Sequence, residues 1–121
     1  MKGLCWADAE IPALLVRICK TGHLKAVARE LRRLQKGERP TAYRMLQSFG
    51  PQVGELKRGS LRVVYTTELE LLIAIVCAFK KDAKSGDKMR PEHERLINSG
   101  LRRIRQREYV EDSGLLRKYL H

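Results

Sequence analysis

Seven charged side chains lie in one stretch of the chain: six cations of the types that hold a phosphate, Lys57, Arg58, Arg62, Lys80, Lys81 and Lys84, and one carboxylate, Glu55. Strand alternation puts Glu55 and Lys57 on one face of a strand, with Arg62 just across a turn. A following apolar strand delivers Lys80 and Lys81 to a nearby edge, so several cations can surround one phosphate. Metal-free RNA cleavage requires the 2′-hydroxyl in line with phosphorus, neutralised phosphoryl oxygens, a base, and an acid for the leaving 5′-oxygen. Arg and Lys supply the charge. The base is either a lysine whose pKa is lowered by neighbouring cations or Glu55. The same residue types also describe a hairpin decorated with solvated cations.

The elements that must position these residues follow from periodicity. Ile11, Leu14, Leu15 and Ile18 recur at helical spacing, as do Leu24, Val27, Ala28, Leu31 and Leu34, predicting helices over 9–20 and 22–36 separated at Thr21-Gly22. Residues 38–52, with Pro40, Gly50 and Pro51, are expected to connect with at most a short strand or turn, pinned by Tyr43, Met45, Leu46 and Phe49. Val53–Lys57 alternates, Gly59-Ser60 signals a hairpin, and Leu61–Thr67 is rich in β-branched and aromatic residues. Leu71–Phe79 is apolar throughout, as a strand buried on both faces in mid-sheet would be. Pro91, Glu92 and Glu94 open a final helix with Ile97, Leu101 and Ile104 inward and Arg95, Arg102, Arg103, Arg105 and Arg107 outward. The tail 108–121 is expected to add a helical turn or two, or to stay loose until a partner arrives. The order α-α-β-β-β-α predicts one α+β domain over 1–121: a small antiparallel sheet, two N-terminal helices and a C-terminal helix packed on one face, the other face left for a ligand.

Composition narrows the partner. A formal charge of +11 and a pI near 10 favour a polyanion, nucleic acid first, with an acidic protein as a possible second partner. Within that reading Arg58, Lys84, Arg102, Arg103 and Arg105 are candidate RNA-binding cations, and the final helix can equally receive an acidic protein segment or be solvated. Cys5, Cys19 and Cys77 are odd in number and lack C-x-x-C spacing, so they read as reduced thiols. His23, His93 and His121 share no ligand spacing, so neither a metal nor any other cofactor is expected. The run 54–59 lacks the ending of a phosphate-binding glycine loop. The longest apolar stretch is about half of a membrane span, and no signal-peptide core is visible, so a soluble cytoplasmic protein is expected, with no membrane partner.

Four segments taken together carry a resemblance: Leu34-Gln-Lys-Gly-Glu-Arg-Pro40, Met45-Leu-Gln-Ser-Phe-Gly-Pro-Gln-Val-Gly-Glu-Leu-Lys57, Leu61-Arg-Val-Val-Tyr65 and Cys77-Ala-Phe-Lys-Lys-Asp-Ala-Lys-Ser-Gly86. In order and spacing, from about residue 24 to 107, the chain resembles the phage-derived, HigB-like branch of the RelE/ParE toxin superfamily. The resemblance implies a small microbial-ribonuclease-like fold. It also implies the toxin of a type II toxin–antitoxin system, an endoribonuclease cutting mRNA on the ribosome, with a helix-turn-helix antitoxin as partner. Arg62 matches the family's strand arginine, Glu55 and Lys57 its Glu-Xaa-basic pair, and Lys80 and Lys81 its basic pair. Tyr65 matches too, with a core role expected. Two other functions stay open: inhibition of a protein target such as DNA gyrase, and a non-catalytic basic nucleic-acid-binding domain.

Overall fold

The computed structural model describes residues 1–81 and 88–114. It is an α+β structure with three helices and a six-stranded, mostly antiparallel sheet. The order is β1 (Gly3–Trp6), α1 (Glu10–Ile18), α2 (Thr21–Gln35), β2 (Tyr43–Met45), a 3-10 turn (Gln47–Phe49), β3 (Val53–Arg58), β4 (Leu61–Thr66), β5 (Leu72–Lys80), α3 (Pro91–Arg105) and β6 (Val110–Glu111). In space the strands run β2-β3-β4-β5-β1-β6.

The centre of the sheet is where periodicity expects it. β3 and β4 form a hairpin in register from Val53↔Thr66 to Arg58↔Leu61, closed by Gly59-Ser60. Gly59 has φ +58°, which a residue without Cβ adopts freely in a two-residue hairpin loop. β5 is buried from Ile73 to Phe79 because it lies between β4 on one side and β1 on the other. A bulge between Val64 and Tyr65 in the β4–β5 pairing leaves Val76 without an opposite residue, which bends β5 locally.

Two strands, β1 and β6, go beyond the sequence reading. β1 pairs in parallel with β5, from Gly3↔Leu72 to Trp6↔Ile75. β6 pairs antiparallel with β1, so the described part of the tail is extended rather than helical. Residues 115–121 lie outside the described residues. β2 is the short strand allowed for in 38–52, paired with β3.

The placement of α3 also differs from the expectation of helices on one face. Leu56 and Val63 pair across β3 and β4 and meet Ala26 and Val27 of α2, whereas Arg62 pairs with Phe79 on the opposite face, where His93 of α3 stacks. The reason is the inward stripe of α3, His93, Ile97, Gly100, Leu101 and Ile104, which has no apolar surface left on the α2 side to cover. Gly100 allows the approach: a Cβ there would fall on the Val76 carbonyl oxygen. α3 lies against β5; beyond it on the same face, Val53, Glu55 and Val64 of β3 and β4 are buried, and Arg44, Lys57 and Arg62 are half-buried.

The core gathers Trp6, Leu15, Leu31, Val63, Ile73, Ile75, Ile97 and Ile104. Burial pushes the Cys77 thiol up to about 12, with the Glu55 charge adding to it, and the Cys5 thiol up to about 11. Neither then forms appreciable thiolate near neutral pH. Iodoacetamide is expected to leave Cys5 and Cys77 unmodified in the native protein and to alkylate both after denaturation, which peptide mass mapping reads directly.

Candidate active site

β-Pairing registers assemble the site. Arg44 of β2 lies opposite Glu55 of β3, Glu55 opposite Val64 and Lys57 opposite Arg62, and Arg62 opposite Phe79 of β5. Alternation therefore places Arg44, Glu55, Lys57, Arg62 and Phe79 on one face, the one on which α3 packs, with the three cations half-buried at its margin.

Glu55 lies at its centre and is 1 % exposed. Its Oε1 is 3.6 Å from Arg44 Nη2 and 3.6 Å from Arg62 Nε. Those separations exceed a good hydrogen bond, and Glu55 Oε1, Arg44 Nε and Arg62 Nε are all buried without a hydrogen-bond partner. A carboxylate buried this deeply does not reach a ligand on the surface. Its charge instead holds two guanidiniums together that would otherwise repel. Arg62 is pinned further, donating through Nη1 to the carbonyls of Gly59 at 2.7 Å and Leu61 at 2.9 Å. Such fixed donors act on developing charge without reorganising when it appears.

His93 completes the cluster. Its ring stacks on Phe79 with centroids 3.9 Å apart and 13° between planes, and it is 8 % exposed. Burial lowers its pKa below that of a free imidazole; Glu92 and Glu55 oppose the shift, while Arg90 and Lys81 add to it. The result is a neutral imidazole at pH 7, able to accept a proton at one nitrogen and donate from the other.

The sequence-predicted cations separate. Lys57, Arg62 and Lys81 join the site: Lys81 follows β5 on the Phe79 side, bonds through its backbone N–H to Ser60 O at 2.7 Å, and is felt by His93. Lys80 pairs with Leu61 on the opposite side of the sheet, where its charge acts on Cys19. Arg58 also alternates away and lines a crevice under α2. Lys84 lies outside the described residues.

On α3, Arg105 is taken by Glu68, at 2.8 Å, and by Phe49 O, which holds the Glu68 carboxyl below its usual range. Arg103 donates to Ala7 O at 2.8 Å and to Glu108 O. These two arginines brace the fold, although Arg105 stays exposed; Arg102 is exposed as well and has no side-chain hydrogen bond or ion pair among the described residues. Substituting Lys81 by alanine is expected to weaken binding of a short RNA several-fold, and Lys80 by alanine to change it less than twofold, in a side-by-side titration.

Sequence reasoning passed over Arg44 and His93. Arg44 sits in a three-residue strand too short for a period to register. His93 was legible: it is four residues before Ile97, in phase with the inward stripe of the final helix.

Tyr65 packs in the core, its ring against Gly54, where a Cβ would lie 2.5 Å away, and burial raises its hydroxyl to about 12. Among the described residues no group of three or more His, Cys, Asp and Glu is placed to hold a metal ion, and no helix is long and apolar enough to cross a membrane. Comparison with protein-family models, curated proteins and solved structures gives no match to this chain.

Proposed function

We propose that this protein is an endoribonuclease that cuts mRNA during translation and arrests growth, the toxin of a type II toxin–antitoxin pair. The observation that carries the reading is the convergence on one sheet face of Arg44, Lys57 and Arg62 with the buried Glu55, with Lys81 just past the end of β5 and the neutral imidazole of His93 stacked on the neighbouring Phe79. Cations fixed by strand register suit the phosphoryl oxygens of an RNA chain, whose negative charge grows in the transition state.

In this mechanism the 2′-oxygen attacks phosphorus, the bond from phosphorus to the 5′-oxygen breaks, and a 2′,3′-cyclic phosphate and a free 5′-hydroxyl result. The proton lost by the 2′-hydroxyl is taken by His93, and a proton returns to the 5′-oxygen, from the same imidazole or through water. Arg62 and Arg44 carry the phosphoryl charge, and Lys57 and Lys81 draw the strand in. Glu55 positions the two arginines. With one acid–base group beside the phosphate, an RNA held in the in-line conformation by a larger assembly is a better substrate than a free one, in keeping with the ribosome dependence that the sequence resemblance implies.

The test is to induce the chain in bacteria, as wild type and as Arg62→Ala, and to map mRNA 5′ ends against the reading frame. New ends with codon periodicity in translated regions are expected, lost in Arg62→Ala although that variant, destabilised by removing one guanidinium from the buried Glu55, still melts cooperatively above the growth temperature. Growth arrest with intact mRNA would sink the nuclease reading in favour of a protein target. No arrest would leave a binding module.

A further inference from the structure

The far side of the sheet carries a second basic surface that the cleavage chemistry does not use. On α2, Leu24, Val27, Ala28, Leu31 and Leu34 face the core. Lys25, Arg29, Arg32, Arg33 and Lys36 recur on the outer face at three- and four-residue steps, one stripe about 16 Å long at 1.5 Å per residue. Five like charges on one helix face repel, and the described residues do little to neutralise them. Arg33 has only loose contacts, 3.8 Å to Glu30 and 3.7 Å to Glu38. Arg32 reaches the Met1 sulfur, and Lys25, Arg29 and Lys36 have no ion pair among the described residues. Arg29, Arg32, Arg33 and Lys36 line a shallow cavity of about 400 Å³ whose one remaining wall is Glu38.

The character of the lining selects the ligand. A protein partner needs apolar or aromatic anchors at the centre of its footprint, and this cavity has none. An unstacked single strand needs aromatic platforms, also absent here. Guanidiniums in a row without apolar anchors suit the phosphates of a double helix, which are read by charge alone. We propose that the outer stripe of α2 docks on the backbone of double-helical RNA, while the opposite face engages the strand to be cut. The choice of RNA over DNA rests on the cleavage reading. The stripe gives that reading a substrate class, a single strand presented beside a structured RNA.

The experiment is fluorescence anisotropy of the full chain on a blunt RNA duplex of about 16 base pairs, over a salt series. Three proteins are compared with wild type: Arg29→Gln/Arg32→Gln/Lys36→Gln, a control losing the same charge elsewhere (Arg17→Gln/Arg95→Gln/Arg107→Gln), and His93→Gln. The stripe variant is expected to bind about tenfold or more weakly at low salt, with the log–log salt slope shallower by about 2 to 3. The control and His93→Gln should keep most of the affinity and the slope.

Equal losses in stripe variant and control would overturn the proposal, as would an unchanged slope. Displacement of the duplex by polyglutamate at matched charge would assign the stripe to an acidic protein, and tighter binding of a DNA duplex would overturn the assignment to RNA. If no RNA is ever cut and the stripe still sets the slope, the nuclease reading fails and the docking surface stands.

Discussion

Replacement of His93 by glutamine is expected to slow RNA cleavage by about 10²- to 10⁴-fold, the usual contribution of one positioned acid–base group, while affinity for RNA changes little. Glutamine keeps much of the volume over Phe79 and keeps hydrogen-bonding capacity, but it cannot exchange a proton. The stability cost is then the loss of one ring stack, about 0.5–1.5 kcal/mol, small enough that the two effects separate in a melt and a single-turnover rate.

The pH dependence has a definite sign. Burial lowers the His93 pKa from 6.5, so the base form persists in the folded protein below pH 6.5, and the acid limb of the cleavage rate is expected below that point. For stability, the unfolded chain takes up this proton before the folded one does. The contribution is complete above pH 6.5 and is lost as pH falls from there through the folded value. Wild type and His93→Gln should therefore show a constant difference in melting temperature above pH 6.5 and a changing one below it. An acid limb at the same pH in both proteins would remove His93 from the chemistry.

The largest stability effect is expected at Gly100. Alanine at an exposed helical position would stabilise by about 1 kcal/mol relative to glycine. Here its methyl would land on the Val76 carbonyl and within 2.7 Å of Val76 Cγ1. The nearest obstacle is backbone in the middle strand of the sheet and cannot turn aside, so α3 must lift instead. Overpacking of this kind typically costs about 1–3 kcal/mol, and lifting α3 also uncovers Ile97 and Ile104. We expect Gly100→Ala to be net destabilising by about 2–3 kcal/mol and to lower the melting temperature by about 10 °C. Because α3 carries His93, cleavage should fall as well. An unchanged or raised melting temperature would show that α3 can slide on β5 without loss.

How far the sequence carries this structure depends on element length. β5 and the β3–β4 hairpin declare themselves because six to nine residues suffice for an alternation or an unbroken apolar run. α2 and α3, fifteen residues each, show their stripes for the same reason. β1, β2 and β6 have two to four residues and exist only because a neighbour offers its edge, a non-local fact no window contains. The same limit applies within the site. Alternation puts Glu55, Lys57 and Arg62 on one face, but not the burial of Glu55 between Arg62 and an arginine from β2. Lys80 and Lys81 read as a pair, although neighbouring residues at a strand end point to opposite faces. The face on which α3 packs was not legible, because His93 and Gly100 matter only once Phe79 and Val76 lie beneath them.

The parallel pairing of β1 with β5 sets an order on biosynthesis. Gly3–Trp6 leaves the ribosome well before its partner Leu72–Ile75, and α3 follows later still. Contacts between residues so distant in sequence form late in folding. Until Phe79 has a β-sheet neighbour and His93 a ring to stack on, the cations have neither a fixed frame nor an imidazole beside them. Under the proposed function, a chain still being made would therefore lack the assembled site, and cleavage would wait until β5 has paired with β4 and α3 has packed on it.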